Sequence, residues 1–150
     1  MELVPPLWEP RDCPPELPSG AAHVWRVRAD VPEAEDDRWR RLLAGPERER
    51  LARFHFAADA RREAVSRGAL RILLGAYLGR PPDDVAFATE AKGKPVLAGA
   101  AAGARIEFNV SHSGEWVLLA FARGRRVGVD LERWRAIDAE QILRDFFLPE

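Results

Sequence analysis

Cysteine is nearly absent from this chain. Cys13 is the only one, which excludes an internal disulfide and a thiolate metal cluster. Long apolar runs are missing too. The longest strongly apolar stretch, Trp116 to Ala122, has the length of a strand and falls far short of the roughly 20 residues a membrane helix needs. No basic region followed by an apolar core opens the chain, so no secretory signal is expected and a cytoplasmic protein is the default. Nor is there an excess of one charge. A net charge of −1 gives no general attraction to nucleic acid or an anionic membrane, and no aromatic-basic stripe suggests a nucleic-acid surface.

What is there is globular. At 47% hydrophobic and 31% charged residues, wholesale disorder is excluded, and 150 residues suffice for one core. Charge is unevenly laid out. Residues 1–37 carry nine acids and three arginines, residues 38–71 ten arginines and four acids. Such a local basic segment in a neutral protein suits a compact anion better than a long polyanion. Lysine occurs twice, as Lys92 and Lys94, against twenty-one arginines. Two lysines flanking Gly93 therefore suggest a need for a compact ammonium or its flexible stem, with a plain exposed turn as the alternative.

Residues 1–20 hold six of the twelve prolines and predict an extended arm, with Trp8 as its candidate anchor. His23 to Arg28 alternates as a strand. Pro32 to Leu43 has helical spacing, acids first and arginines last, in the order that suits the helix dipole. Pro46 can open a short helix through Arg53. Asp59 is expected to cap a long helix ending near Gly79, with Val65, Leu70, Leu73, Leu74, Tyr77 and Leu78 on its buried side. A strand is expected at Val85 to Thr89, and Asp138 with Gln141 suggests the start of a last helix.

The densest stretch is Phe108 to Glu132. Ile106, Phe108 and Val110 alternate with polar residues as a half-buried strand, which is expected to run out into a turn at Ser111-His112-Ser113-Gly114. Trp116 to Ala122 predicts a strand buried on both faces. Arg126 to Glu132 predicts a third strand, with Val127, Val129 and Leu131 facing one way and Gly128, Asp130 and Glu132 the other. Asp130 and Glu132 would then share a face, their Cα atoms roughly 6.5–7 Å apart, a pair suited to magnesium with waters and phosphates completing its shell. The alternative is the solvated side of an edge strand. Ser111 and His112 cannot form a catalytic dyad, because neighbours on a strand point to opposite faces.

Taken in order, GKP at Gly93 to Pro95, FN-x-SHS at Phe108 to Ser113 and GVD-x-E at Gly128 to Glu132 resemble the Sfp-type 4′-phosphopantetheinyl transferases. The resemblance spans roughly Leu43 to Glu150. It implies an α+β fold of two similar halves with the active site between them. Residues 1–20 would be the proline-rich arm, 21–123 the first half, and 124–150 the incomplete start of the second. The implied reaction moves phosphopantetheine from coenzyme A, as substrate, to a serine of an apo acyl or peptidyl carrier protein, with Mg²⁺ as cofactor and release of 3′,5′-ADP. Asp130 and Glu132 would hold the metal and serve catalysis. Arg50 and Arg62 would meet the nucleotide's 3′-phosphate, each with a helix-surface ion pair as its alternative. The backbone of Glu90, Ala91, Lys92 and Gly93 would lie near adenine, Lys94 near phosphate. Asn109 falls within the second motif, and Ser111 and His112 would contact phosphate.

One departure stands out. The family pattern continues with W-x-x-K-E-A, and nothing after Glu132 matches it, so this chain is expected to be the front of a longer enzyme, inactive alone. The second reading is a non-catalytic coenzyme A or carrier-protein binding module.

Overall fold

The computed structural model describes residues 8–91 and 94–133. The expectations for residues 1–7, for Lys92 and Gly93, and for a helix after Asp138 lie outside the described residues. Among the described residues the chain runs through β1 (Ala22–Arg28), α1 (Glu33–Arg41), α2 (Gly45–Leu51), α3 (Ala57–Leu78), a 3-10 turn (Pro82–Asp84), β2 (Phe87–Thr89), β3 (Pro95–Leu97), a 3-10 helix (Gly99–Ala104), β4 (Ile106–Ser113) and β5 (Trp116–Arg123). It is an α+β arrangement.

β1, β5 and β4 make an antiparallel sheet in that order, with β5 between its neighbours. The central place follows from the sequence of β5, whose Val117, Leu119, Ala120, Phe121 and Ala122 are all buried. A strand apolar on both sides has no face to give to water. The register pairs Trp25 with Leu119 and Phe108 with Phe121. Side chains alternate across a strand, so Trp25, Val27, Val117, Leu119, Phe121, Ile106 and Phe108 form one face. That face packs on Val65, Leu70, Leu73 and Leu74 of α3. The opposite face carries Val24, Arg26, Leu118, Ala120, Asn109, Ser111 and Ser113.

α3 meets α1 at close range because Gly68 has no side chain. A Cβ there would stand 2.8 Å from Trp39 Cε3, nearer than two carbons can pack. The helix ends at Gly79, whose left-handed φ of 63° few other residues adopt readily. The expected N-cap is corrected: Asp59 lies inside the first turn and Phe56 precedes the helix without a side-chain cap, while the Asp59 carboxylate accepts from Arg62 at 2.9 Å. Of the predicted strand at Val85 to Thr89 only Phe87–Thr89 forms, since the 3-10 turn carries Val85 into the core. Trp8 meets the sheet through Arg26, whose guanidinium lies 4.8 and 4.5 Å from the centroids of the Trp8 and Trp116 rings.

The predicted turn at Ser111 to Ser113 is also corrected. β4 continues through all three residues, Ser113 pairing with Trp116, and the turn is Gly114-Glu115 alone. The third strand does not form a backbone ladder with the sheet. Residues 126–133 are held by side chains instead, as described below.

A buried guanidinium ties the helices to the β2–β3 hairpin. Arg71, only 3% exposed, donates to Glu47 of α2 at 2.9 Å and to the carbonyls of Pro82 and Val85 at 3.1 and 2.9 Å. It also lies over the Phe87 ring. Glu47 in turn accepts from the backbone N–H of Ala44 at the start of α2. Removing one partner of a buried pair leaves the other charge uncompensated. Arg71→Met should therefore cost about 3–5 kcal/mol in urea unfolding, and adding Glu47→Gln should cost less than the two single changes summed. Strict additivity would show that the pair does not couple.

Tyr77 of α3 holds the edge of the sheet. Trp25 Nε1 donates to its hydroxyl at 2.9 Å, and the hydroxyl lies 2.8 Å from His23 Nδ1. With Nδ1 unprotonated, Tyr77 donates its one proton to it, an arrangement that fits a neutral ring. Burial first, and the charge of Arg11 second, hold His23 below its ordinary 6.5. The folded chain then binds fewer protons than the unfolded chain below pH 6.5, so stability is full above that value and falls as pH drops through it. Thermal melts should show this loss, and His23→Gln should flatten it. An unchanged pH slope in that variant would assign the loss to other groups.

Candidate functional site

The acidic segment is positioned by the outward side chains of β4. Asn109 Oδ1 accepts from the backbone N–H of Val129 at 2.8 Å, Ser111 Oγ from Leu131 at 3.1 Å, and Ser113 Oγ from Arg133 at 3.0 Å. The Ser111 hydroxyl donates to Asp130 Oδ1 at 3.0 Å. Val127, Val129 and Leu131 are half-buried while Gly128, Asp130 and Glu132 are exposed. The alternation expected for this stretch is present; the strand pairing is not. Asp130 and Glu132 are on the exposed side of one extended segment, beside a serine hydroxyl. This donor set is hard oxygen throughout, the kind magnesium takes. No group of three or more His, Cys, Asp or Glu residues able to hold a metal occurs among the described residues, so any such ion would rely on water and ligand oxygens for the rest of its shell.

The β2–β3 hairpin closes through the Glu90 N–H to Lys94 carbonyl bond at 2.9 Å. Glu90 and Ala91 are exposed. The hairpin separates two hollows. On one side Glu90, Lys94, Arg105, Glu107 and Arg126 line a cleft of about 310 Å³. On the other, Arg50, Glu63, Arg67 and Thr89 line a groove of about 320 Å³ between hairpin and helices. Pro95 lines both. Glu63 accepts from Arg67 at 3.2 Å and stands 3.9 Å from Arg50. Arg62 is turned to Asp59 and is not among the residues lining this groove. His112 is exposed on the face of β4 opposite Ser111.

A family model described as "4′-phosphopantetheinyl transferase, N-terminal" matches residues 33–123. The chain belongs to the 4′-phosphopantetheinyl transferase family. It is 39% identical over 143 residues to the 4′-phosphopantetheinyl transferase HetI of Nostoc sp. (strain PCC 7120 / SAG 25.82 / UTEX 2576), covering 95% of this chain and 60% of that protein. It is 30% identical to the 4′-phosphopantetheinyl transferase Sfp of Bacillus subtilis (strain 168), covering 83% and 54%. With the human L-aminoadipate-semialdehyde dehydrogenase-phosphopantetheinyl transferase it shares 33% identity, covering 79% and 35%. The chain thus spans between about a third and three fifths of these relatives' lengths. No helix among the described residues is long and apolar enough to cross a membrane.

Among the candidate residues the structure joins Ser111 to Asp130 by a hydrogen bond, with Asn109 holding the Val129 N–H next to them and Glu132 on the same exposed side as Asp130. It puts Lys94 and Glu90 in the first cleft and Arg50 in the groove beyond the hairpin. Lys92 and Gly93 lie outside the described residues. Sequence reasoning missed Arg105 and Arg126 beside Lys94, because they come from separate turns that only folding joins. It also missed Arg67 and Glu63 facing Arg50, although Arg67 lies four residues after Glu63, the spacing of a helix ion pair.

Proposed function

We propose that this chain supplies the first half, residues 21–123, and the opening of the second half, residues 124–150, of an enzyme that transfers 4′-phosphopantetheine from coenzyme A to a serine of an acyl or peptidyl carrier protein. The observation that carries the reading is the exposed Asp130–Glu132 pair, fixed beside β4 in a chain of this family. In the reaction the carrier serine Oγ attacks the phosphorus bearing the pantetheine. A new O–P bond forms, the bond from that phosphorus to the bridging oxygen breaks, the serine proton passes to a base, and 3′,5′-ADP leaves. A magnesium ion held by Asp130 and Glu132 would supply neutralisation of charge on the pyrophosphate. Arg50, Lys94 and His112 contribute binding and orientation of the nucleotide phosphates, and a planar guanidinium suits a phosphate because it can donate two parallel bonds. Support comes from the charged lining around Lys94 and from the transferase activity for which the relatives are named. The compartment proposed is the cytoplasm.

The test is a mass-shift assay with coenzyme A, magnesium and a panel of apo-carrier proteins, run on the chain and on any longer form of its coding sequence. Asp130→Ala should abolish transfer with the fold intact; unchanged turnover would end the metal assignment. The second reading is a binding module for coenzyme A or a carrier protein without transfer. Coenzyme A binding in calorimetry with no mass shift in any form would select it.

The phosphate assignments are tested separately. Arg50→Ala, Lys94→Ala and His112→Ala should each weaken coenzyme A by about 1.5–3 kcal/mol and dephospho-coenzyme A by less. Equal losses for the two ligands would move these residues away from the 3′-phosphate.

A further inference from the structure

We infer that Asn109, Ser111 and Ser113 are positioning residues, whose side chains act as the acceptors of a missing strand and set the register of residues 127–133. The three bonds share one offset of twenty residues: 109 to 129, 111 to 131, 113 to 133. Both partners advance by two at each step, so the segment runs parallel to β4 at strand pitch. Backbone carbonyls of β4 cannot do this work, because they point along the sheet while the segment lies along the outward face. The alternating polar side chains take their place. A slip of one residue would exchange the two sides of the segment, burying Asp130 and Glu132 and exposing Val129 and Leu131. The ladder therefore decides which way the carboxylates face.

Ser111 has a second task. Its oxygen accepts from Leu131 and its single proton goes to Asp130 Oδ1. A hydroxyl has one proton to give, so in this arrangement Ser111 orients a carboxylate and has no proton left for a phosphate. With Oδ1 held, Oδ2 is the oxygen presented to a cation. The role of the two carboxylates rests on the transferase reading above, whereas the ladder stands without it.

The experiment uses the 150-residue chain. Amide hydrogen exchange should show protection at Val129, Leu131 and Arg133. Ser111→Ala should speed exchange at Leu131 roughly two- to tenfold, the effect of losing one hydrogen bond, and Asn109→Ala should do the same at Val129. Mn²⁺ titrated by paramagnetic resonance in the presence of coenzyme A should bind Ser111→Ala roughly ten- to a hundredfold more weakly, as when an outer partner of a metal ligand is lost. Ser111→Thr, which keeps the hydroxyl and suits a strand, should restore both readouts. In EDTA, wild type and Ser111→Ala should bind coenzyme A alike. Unchanged Leu131 exchange in Ser111→Ala would overturn the ladder. An equal loss of coenzyme A affinity with and without metal would overturn positioning in favour of a direct phosphate contact. Absence of Mn²⁺ binding by the wild-type chain would overturn the role given to the carboxylates, while exchange still decides the ladder.

Discussion

A three-stranded sheet whose central strand is apolar on both faces has to be covered twice. β5 imposes this constraint: Phe121 and Leu119 point to one side, Ala120 and Ala122 to the other, and all four are buried. One cover is ordinary. α3 brings a row of leucines and Tyr77, and removing several large side chains from water contributes about 1.5–3 kcal/mol each. The other face is different in kind. Its β4 side chains are polar, so the chain that lies on it is bonded through Asn109, Ser111 and Ser113 while its own Val129 and Leu131 are only half-buried. The carboxylates of the proposed site thus lie on a segment bonded to the outward side chains of β4, and their placement follows from those bonds.

The second organising contact is Arg71. A guanidinium 3% exposed has to be paired and hydrogen-bonded to be tolerated, and it meets that demand by reaching three elements at once. Glu47 opens α2, the helix that carries Arg50, and Pro82, Val85 and Phe87 lead into the hairpin that carries Lys94. The width of the groove between Arg50 and Thr89 is therefore set from below by a residue that lines neither hollow. A charge buried for this purpose contributes geometry more than net stability.

Periodicity made the elements legible where one face is buried. The alternation of His23 to Arg28, the apolar run of β5 and the leucine row of α3 each declared an element because burial is what creates the pattern. The same logic failed at Ser111 to Ser113. Small polar residues suit turns, yet here they stand on a strand whose outward face bonds to backbone instead of water. Composition alone does not separate those two environments. Asp59 misled for a related reason: a capping residue type near a helix start was read as the cap, while its carboxylate is turned to Arg62. Arg71 was invisible because an arginine four residues from Arg67 on a helix looks like any solvated face until Glu47, twenty-four residues earlier, is brought to it. The motifs that pointed to the family survived these errors, since their residue types and order do not depend on whether a serine lies on a turn or a strand.

The parity of β4 divides the FN-x-SHS motif into two kinds of residue. Asn109, Ser111 and Ser113 face the covering segment and are engaged by it. Phe108 and Val110 face α3, and His112 follows them on that side but is exposed at the end of the sheet. A ligand that touches both His112 and Asp130 cannot lie on either face alone. It has to cross the edge of β4 that pairs with no other strand among the described residues. A nucleotide that carries a 3′-phosphate as well as a diphosphate suits that demand better than a compact ring, because separate phosphates can sit on either side of the edge. On the transferase reading, this is the physical sense of placing a basic residue and a carboxylate pair on opposite sides of one strand. On that reading His112 and Lys94 would meet phosphate on one side of the strand, and Asp130, held by the Ser111 hydroxyl, would face a cation on the other.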